Sequence, residues 1–362
     1  MKEKIGFIAV GQAGGNIGSR LELKGYKVLY INTSQEDLST LNNAKFKHHI
    51  KDGEGCNKDR LKAKQALIDD FDAISRKIQE GFDCEFIYVI FSSGGGTGSG
   101  AGPMLCELML NDIDDGNLKQ ENIGIITILP GTNEPIKTKI NSYECFDEIS
   151  KVDGLSSVII LDNDKCMDKL VLNNKFTTNL TEFLDIPIKH KSERGNIDKA
   201  EILETLKAPG MLKIIQIPSK DSKTDIVLNS INNIYAESEN DGIVKYISLS
   251  QAGTQLDLNL LQRDIGVPVD IFQTYNEHST ILALAGLSYP ASRFKKIEES
   301  INENKEKVIH SLHANTKIEL NNDIDFLKIN EKKTRKRNKL ISEQSGEEKK
   351  MSRRDIMAKY LS

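Results

Sequence analysis

The sequence predicts an α/β fold on a parallel sheet, followed by a smaller second α/β unit, a long charged helix and a basic C-terminal segment. Three observations carry this. Apolar runs rich in Ile, Val and aromatic residues recur through the first 165 residues, each bounded by Gly, Asn or Ser. Amphipathic helical stretches lie between them. The runs are continuously apolar rather than alternating, as expected for strands covered on both faces.

The elements follow in order. Residues 5–10, 28–31, 86–91, 123–129 and 158–161 read as strands. Residues 57–81 read as a helix, with Leu61, Leu67, Ile68, Phe71, Ile74 and Ile78 on one face at spacings of three and four. These residues, 1–165, are expected to form a nucleotide-binding domain. Residues 166–195 form a central helical region that Pro187 is expected to interrupt. Residues 196–290 supply the second unit: helices at 197–206 and 226–236, and strands at 211–217, 244–249, 269–274 and 281–287. Beyond Pro290 a charged helix is expected to about residue 320, within a 291–330 segment, on a seam of Phe294, Ile297, Ile301, Val308 and Leu312. Residues 331–362 read as a basic, largely disordered tail, because 331–350 hold only two aliphatic residues. Its last stretch, 352–361, reads as a short helix that pairs Ile356 with Tyr360 and Met357 with Leu361, with capping-box spacing between Ser352 and Asp355.

Of 362 residues, 38% are hydrophobic and 28% charged, an ordinary globular balance with room for two domains. The longest apolar run, 281–287, falls far short of the roughly 20 residues of a membrane span, and residues 1–10 lack a signal-peptide pattern. A soluble, cytoplasmic protein is expected. Cys56, Cys84, Cys106, Cys145 and Cys166 contain no CxxC pair, and their odd number speaks for free thiols. His48-His49 and the His310/His313 pair have no acidic partner at a metal-motif spacing. Charge is lopsided. Residues 331–362 carry 11 Lys/Arg against 5 Asp/Glu, a surplus of +6, so a chain of net −4 leaves −10 on residues 1–330.

The strongest motif is Ser93-Gly94-Gly95-Gly96-Thr97-Gly98-Ser99-Gly100, between a buried strand and an apolar helix. Consecutive glycines let backbone amides close on an anion, the helix N-terminus adds positive potential, and Thr97 and Ser99 supply hydroxyls. A second loop, Gly11-Gln12-Ala13-Gly14-Gly15-Asn16-Ile17-Gly18, follows the first strand, and a third, Gly53-Glu54-Gly55-Cys56-Asn57, precedes the 57–81 helix. Three such loops at the carboxyl edge of one sheet suggest a nucleotide cradle. No P-loop lysine motif occurs, so phosphate charge is expected to fall to amides, helix dipoles and Mg²⁺. The cradle offers no evident group to position an attacking water, which raises the possibility of a split site.

These residues resemble the tubulin/FtsZ superfamily, whose signature matches Gly94–Gly100. The resemblance spans residues 4 to about 315. It implies a GTP-binding, GTP-hydrolysing protein that uses Mg²⁺. It also implies nucleotide contacts at Gly11, Gln12, Ala13, Gly14 and Asn16, at Gly55, Cys56 and Asn57, and at Gly94, Gly95, Gly96, Thr97 and Gly98. Glu134, in Pro130-Gly131-Thr132-Asn133-Glu134, corresponds to a ribose contact, and Asn163 to the asparagine that reads guanine. Phe176 with Asn179 is expected to meet the base. Asn196-Ile197-Asp198-Lys199-Ala200-Glu201 looks like the loop that enters the neighbouring subunit's site, which makes Asp198 and Glu201, with Asn196, catalytic in trans. From the residues alone, Asp198 also suits a helix N-terminus electrostatically. Where the family's second loop carries Asp after Asn-Thr, this chain has Ser34. Gln12, Glu36 or Asp37 is then the expected water-mediated contact to Mg²⁺.

Within the superfamily the chain is most similar to the TubZ type, GTP-driven filaments that move plasmid or phage DNA through a DNA-bound adaptor. The implied partners are other copies of the chain, head to tail, and an adaptor on the basic C-terminal residues, so that DNA is met indirectly. Two other readings stand beside it, an FtsZ-like division-ring GTPase and a non-polymerising nucleotide-binding regulator. Division proteins end in a Pro-containing apolar peptide, and no Pro follows residue 290 here. Lys332 to Arg337 and the final basic residues suit an adaptor–DNA complex better than they suit acidic lipid or a merely solvated tail.

Overall fold

A computed structural model describes residues 1–51, 53–239, 241–253, 255–314 and 351–361, with the backbone alone over 306–314. The chain runs β1 (Ile5–Val10), α1 (Gly11–Leu23), β2 (Lys27–Asn32), α2 (Gln35–Thr40), β3 (Lys47–His49), α3 (Arg60–Gly81), β4 (Phe86–Ser92), α4 (Thr97–Asp114), β5 (Asn122–Leu129), α5 (Ile136–Ile149) and β6 (Ser157–Asp162). It continues through α6 (Lys169–Lys189), α7 (Lys199–Lys207), β7 (Gly210–Pro218), α8 (Thr224–Asn233), β8 (Tyr246–Gln251), α9 (Leu258–Ile265), β9 (Asp270–Tyr275), β10 (Ser279–Leu287), α10 (Ala291–Ala314) and α11 (Arg353–Leu361).

The strands make one ten-stranded sheet in the order β3-β2-β1-β4-β5-β6-β7-β10-β8-β9. From β3 to β6 every neighbour is parallel. Continuous apolar strands bury both faces, and β1 shows how. Ile8 and Val10 enter one hydrophobic core, whereas Ile5, Phe7 and Ala9 enter the core on the opposite face. The second α/β unit extends this same sheet. β7 joins β6 through Ser157↔Gly210 and Val158↔Met211, and β10 lies antiparallel between β7 and β8. All parallel strands from β1 to β6 therefore end at one edge, where their following loops gather.

Three local expectations change. Leu61 is 58% exposed and leaves the α3 seam, because only Leu67, Phe71, Ile74 and Ile78 turn fully inward. Pro187 does not interrupt α6. It sits in the last turn, and the helix still closes with His190 N–H on Ile186 C=O at 2.9 Å. The short α2, β3 and α9 carry too few periodic residues to have been read from apolar spacing. The stretch of the charged helix beyond 314, the side chains of Val308, His310, Leu312 and His313, and the basic residues 331–350 lie outside the described residues. All five cysteines are unpaired.

The end of the tail forms the short helix that its capping-box spacing suggests. α11 packs on α3 and α4. Ser352 and Asp355 cap it reciprocally: Ser352 N–H donates to Asp355 Oδ2 at 3.1 Å and Asp355 N–H to Ser352 Oγ at 3.3 Å. Ile356 and Tyr360, one turn apart, are buried at 2% and 5% exposure. Arg353 bonds the buried Asp112 of α4 and lies 5.4 Å from the Phe71 ring centroid. Lys359 reaches Glu107 Oε1 at 2.7 Å. Part of the basic surplus at the C-terminus thus meets the acidic body of the same chain.

Candidate nucleotide-binding site

At the carboxyl edge of β1, β2 and β4 the three glycine loops close around a cavity of about 350 Å³. Gly11, Gln12, Ala13, Gly55, Cys56, Asn57, Gly95, Gly96, Thr97 and Gly98 all line it. Gly11 turns the chain from β1 into α1 at φ +72°, a conformation that favours glycine. The third loop presses on the triglycine loop so closely that a Cβ on Gly96 would lie 2.9 Å from Lys58 N. Gly14 and Gly94 stand behind the lining. A Cβ on Gly14 would meet the Ile90 carbonyl oxygen at 2.3 Å, and one on Gly94 would meet the Thr138 methyl at 2.3 Å. Their absent side chains allow close packing behind the cradle. Asn16 borders an adjoining small cavity shared with Gln12 and Asp37.

Buried side chains hold the loops in register. Asn141 of α5 donates through Nδ2 to Lys58 C=O at 3.0 Å and Gly95 C=O at 2.9 Å, stitching the third loop to the triglycine loop. Arg60, at the start of α3, donates to Ser99 C=O at 3.1 Å and pairs with Glu144 and Glu148 of α5. The guanidinium is 7% exposed, so its charge is satisfied by two carboxylates rather than water. Thr33 and Thr97 hydroxyls meet at 2.8 Å. Neither Arg60 nor Asn141 carries a local sequence signal, since each acts across more than 35 residues.

The expected metal contacts separate. Asp37 and Gln12 line the cavity, and Asp37 accepts from Asn32 Nδ2 at 3.2 Å. Glu36 does not line it; its carboxylate turns to the Ser34 hydroxyl at 3.1 Å. Among the described residues no cluster of three His, Cys, Asp or Glu could hold a metal alone. One carboxylate with neutral oxygen donors fits a magnesium ion that takes most of its shell from phosphate and water.

Glu134 and Asn163 come together beside the cradle rather than in its lining. Asn163 Nδ2 donates to Glu134 Oε1 at 2.8 Å, and Lys169 Nζ reaches the same oxygen at 2.7 Å. Burial raises the Glu134 pKa, but hydrogen bonds from Lys169, Asn163 and the Gly131 N–H outweigh it and hold the carboxyl below its ordinary value. Arg293, from the first turn of α10, fixes the loop on which Asn163 sits. It donates to Asp162 Oδ2 at 2.6 Å, Asp164 Oδ2 at 2.8 Å and Pro130 C=O at 2.8 Å.

Phe176 and Asn179 are a correction. Phe176 is fully buried and edge-on to the Tyr235 ring, 5.8 Å between centroids, while Asn179 Nδ2 donates to Tyr235 Oη at 2.7 Å. Neither can meet a base. The seam Leu172, Phe176, Leu180 and Phe183, at spacings of four, four and three, already marks this as the inward face of α6.

Asp198 and Glu201 lie at the other end of the sheet. α7 follows the loop through Asn196, and its first residue, Lys199, is near enough to the Met1 amino group, which precedes β1, to act on its charge. Its last residue, Lys207, pairs with Glu85, just before β4. The strand length between that edge and the cradle is roughly 20 Å. Both carboxylates cap α7. Asp198 Oδ1 accepts from Ala200 N–H at 2.8 Å and Glu201 N–H at 2.9 Å, and Glu201 Oε2 accepts from Asp198 N–H at 2.8 Å. Asn196 Oδ1 accepts from Ser192 N–H at 2.9 Å. Each carboxylate keeps a second oxygen free of these capping bonds.

The cradle and the sheet beneath it have counterparts in known proteins. Residues 4–170 match the Tubulin/FtsZ family, GTPase domain. Residues 4–170 are a tubulin/FtsZ GTPase domain. The tubulin-like protein TubZ of Clostridium botulinum C phage is 29% identical over 308 residues, covering 83% of this chain and 84% of that protein. A solved structure of Clostridium botulinum phage c-st TubZ, its C-terminal tail truncated, has a TM-score of 0.75 at 27% identity and covers 84% of this chain and 99% of its own. The two-stranded filament of TubZ-Bt gives a TM-score of 0.73 at 17% identity, covering 90% and 94%, a likeness of fold. In this tubulin/FtsZ domain the triglycine loop is the most readable feature. Lys58, Arg60, Asn141, Lys169 and Arg293 are the site residues that the sequence motifs did not single out.

Proposed function

We propose that this chain binds GTP in the cradle and assembles head to tail, so that Asp198 and Glu201 of one copy complete the site of the next and GTP is hydrolysed in the assembled filament. The observation that carries this reading is the separation of the two halves. The cradle sits at the carboxyl edge of the sheet and the carboxylate pair at the amino edge, too far apart to act within one chain. Stacking copies along the strand direction brings them together, and an open head-to-tail contact of this kind repeats as a filament. In that arrangement the free oxygens of Asp198 and Glu201 orient the attacking water and take up its proton, while cradle amides hold the γ-phosphate. Glu134 and Asn163 take the ribose and guanine side. Gln12 and Asp37 are the residues that would contact the water shell of Mg²⁺, which supplies charge neutralisation on the phosphates when bound.

The TubZ relationship extends the proposal to a cytoplasmic filament that segregates plasmid or phage DNA through a DNA-bound adaptor. The solvent-facing Arg354 of α11 offers that adaptor a positive charge, and the sequence adds five more between residues 332 and 337. GTP turnover per subunit, followed with light scattering across protein concentration, tests the split site. Turnover that rises with scattering above a critical concentration is expected. Turnover per subunit that stays constant without scattering would place a complete site in one chain.

A further inference from the structure

We propose that Lys58 is the cradle's phosphate-binding cation, a role that deepens the GTP-binding reading and rests on it. The third loop as read from the sequence ends at Asn57, one residue short of Lys58, and the sequence offers no P-loop lysine. Yet among the residues lining the cavity only two are charged, Asp37 and Lys58. A nucleoside triphosphate brings several negative charges into that space, and Lys58 is its one cation.

Three features of the third loop point the same way. Asn57 and Lys58 both take positive φ, 42° and 59°. Asn accepts that conformation readily, but for lysine it is uncommon and costs energy that the surrounding structure must offset. The loop's carbonyls are bound from outside. Lys62 Nζ donates to Gly55 C=O at 3.0 Å, Lys137 Nζ to Asn57 C=O at 3.3 Å, and Asn141 to Lys58 C=O at 3.0 Å. Cationic and amide donors therefore occupy its outer side and fix the backbone in the strained form.

The Lys58 side chain itself is engaged lightly. Its Nζ rests on the neutral Thr138 hydroxyl at 2.7 Å, and the Thr138 methyl lies against Gly94 of the triglycine loop. Among the described residues no carboxylate pairs with it. An ammonium held beside a glycine-rich anion loop by one hydroxyl can exchange that bond for a charge-assisted one to a phosphate oxygen.

The test measures affinity of the full chain for fluorescent GTP and GDP analogues, below the assembly concentration, with guanosine as competitor. Lys58→Met is expected to lose roughly tenfold to a hundredfold in affinity for both nucleotides, the scale of one charged hydrogen bond, with guanosine unaffected. Lys58→Gly, which fits the positive φ without strain, is expected to lose the same affinity while melting no lower than wild type. Wild-type affinity in both variants would overturn the role of Lys58 and leave the cradle intact. A wild-type chain that binds neither analogue would instead overturn the GTP-binding reading, and Lys58 with it.

Discussion

The double duty of Asp198 makes the sharpest prediction. Its Oδ1 holds two N–H groups at the start of α7, so replacement by Ala removes the cap together with the charge. Loss of such a cap costs about 1 kcal/mol, which for a chain of this size lowers the melting temperature by roughly 1–3 °C. Asp198→Asn separates the two roles, because the amide oxygen still accepts from Ala200 and Glu201 and Asn caps as well as Asp. Thermal melting within about 1 °C of wild type is therefore expected. If the carboxylate acts on water in the neighbouring site, turnover in assembled polymer falls by roughly 10²–10⁴. The assay is phosphate release above the critical concentration, with sedimentation to show that polymer is present. An Asp198→Asn chain that assembles and turns over at the wild-type rate would refute the catalytic assignment and leave Asp198 a helix cap. Glu201→Gln, which preserves the reciprocal bond to Asp198 N–H, makes the same separation for the second carboxylate.

Other consequences follow from buried partners. Arg293→Ala leaves Asp162, 1% exposed, without its cation, and is expected to cost roughly 3–5 kcal/mol in urea unfolding. It should also weaken guanine-nucleotide binding through the Asn163 loop. Ile356→Asp places a charge in the α11 contact and should abolish hydrogen-exchange protection across 353–361 while β1 to β6 keep theirs. His190 is buried on Ser250 Oγ at 2.7 Å. Burial lowers its pKa below the usual histidine value, with Lys189 and His278 acting in the same direction and Glu182 against them. The unfolded state then binds the proton first, so this part of the stability is complete above about pH 6.5 and declines as pH falls through the folded pKa. His190→Gln should flatten that decline in melts taken between pH 7.5 and 5.5.

The readable part of this protein is the part coded locally. A parallel strand is a continuous apolar run and a phosphate loop is a run of glycines, so β1, β4 and Gly94–Gly100 could be placed from neighbours in the chain. Phe176 was within reach too, since its place on the Leu172–Phe183 seam marks it as core. What the motifs leave out are contacts made across the fold. Arg60 reaches Ser99 and Glu148, Asn141 reaches Lys58, and Arg293 reaches Asp162, and no periodicity records such pairs. The terminal helix shows both sides. Its capping box and its Ile356–Tyr360 stripe are legible, whereas the acidic groove of Asp112 and Glu107 that receives it exists only after α4 has folded.

Complementation between two inactive chains tests the shared site most directly. Asp198→Asn keeps the cradle and loses the carboxylate. Gly96→Val keeps the carboxylates and spoils the cradle, where a Cβ would lie 2.9 Å from Lys58 N. In an equal mixture shown by co-sedimentation to form one polymer, GTP turnover should return to roughly a quarter of wild type, the share of junctions that pair an intact cradle with intact carboxylates. Turnover no greater than the sum of the two chains alone would contradict the split site.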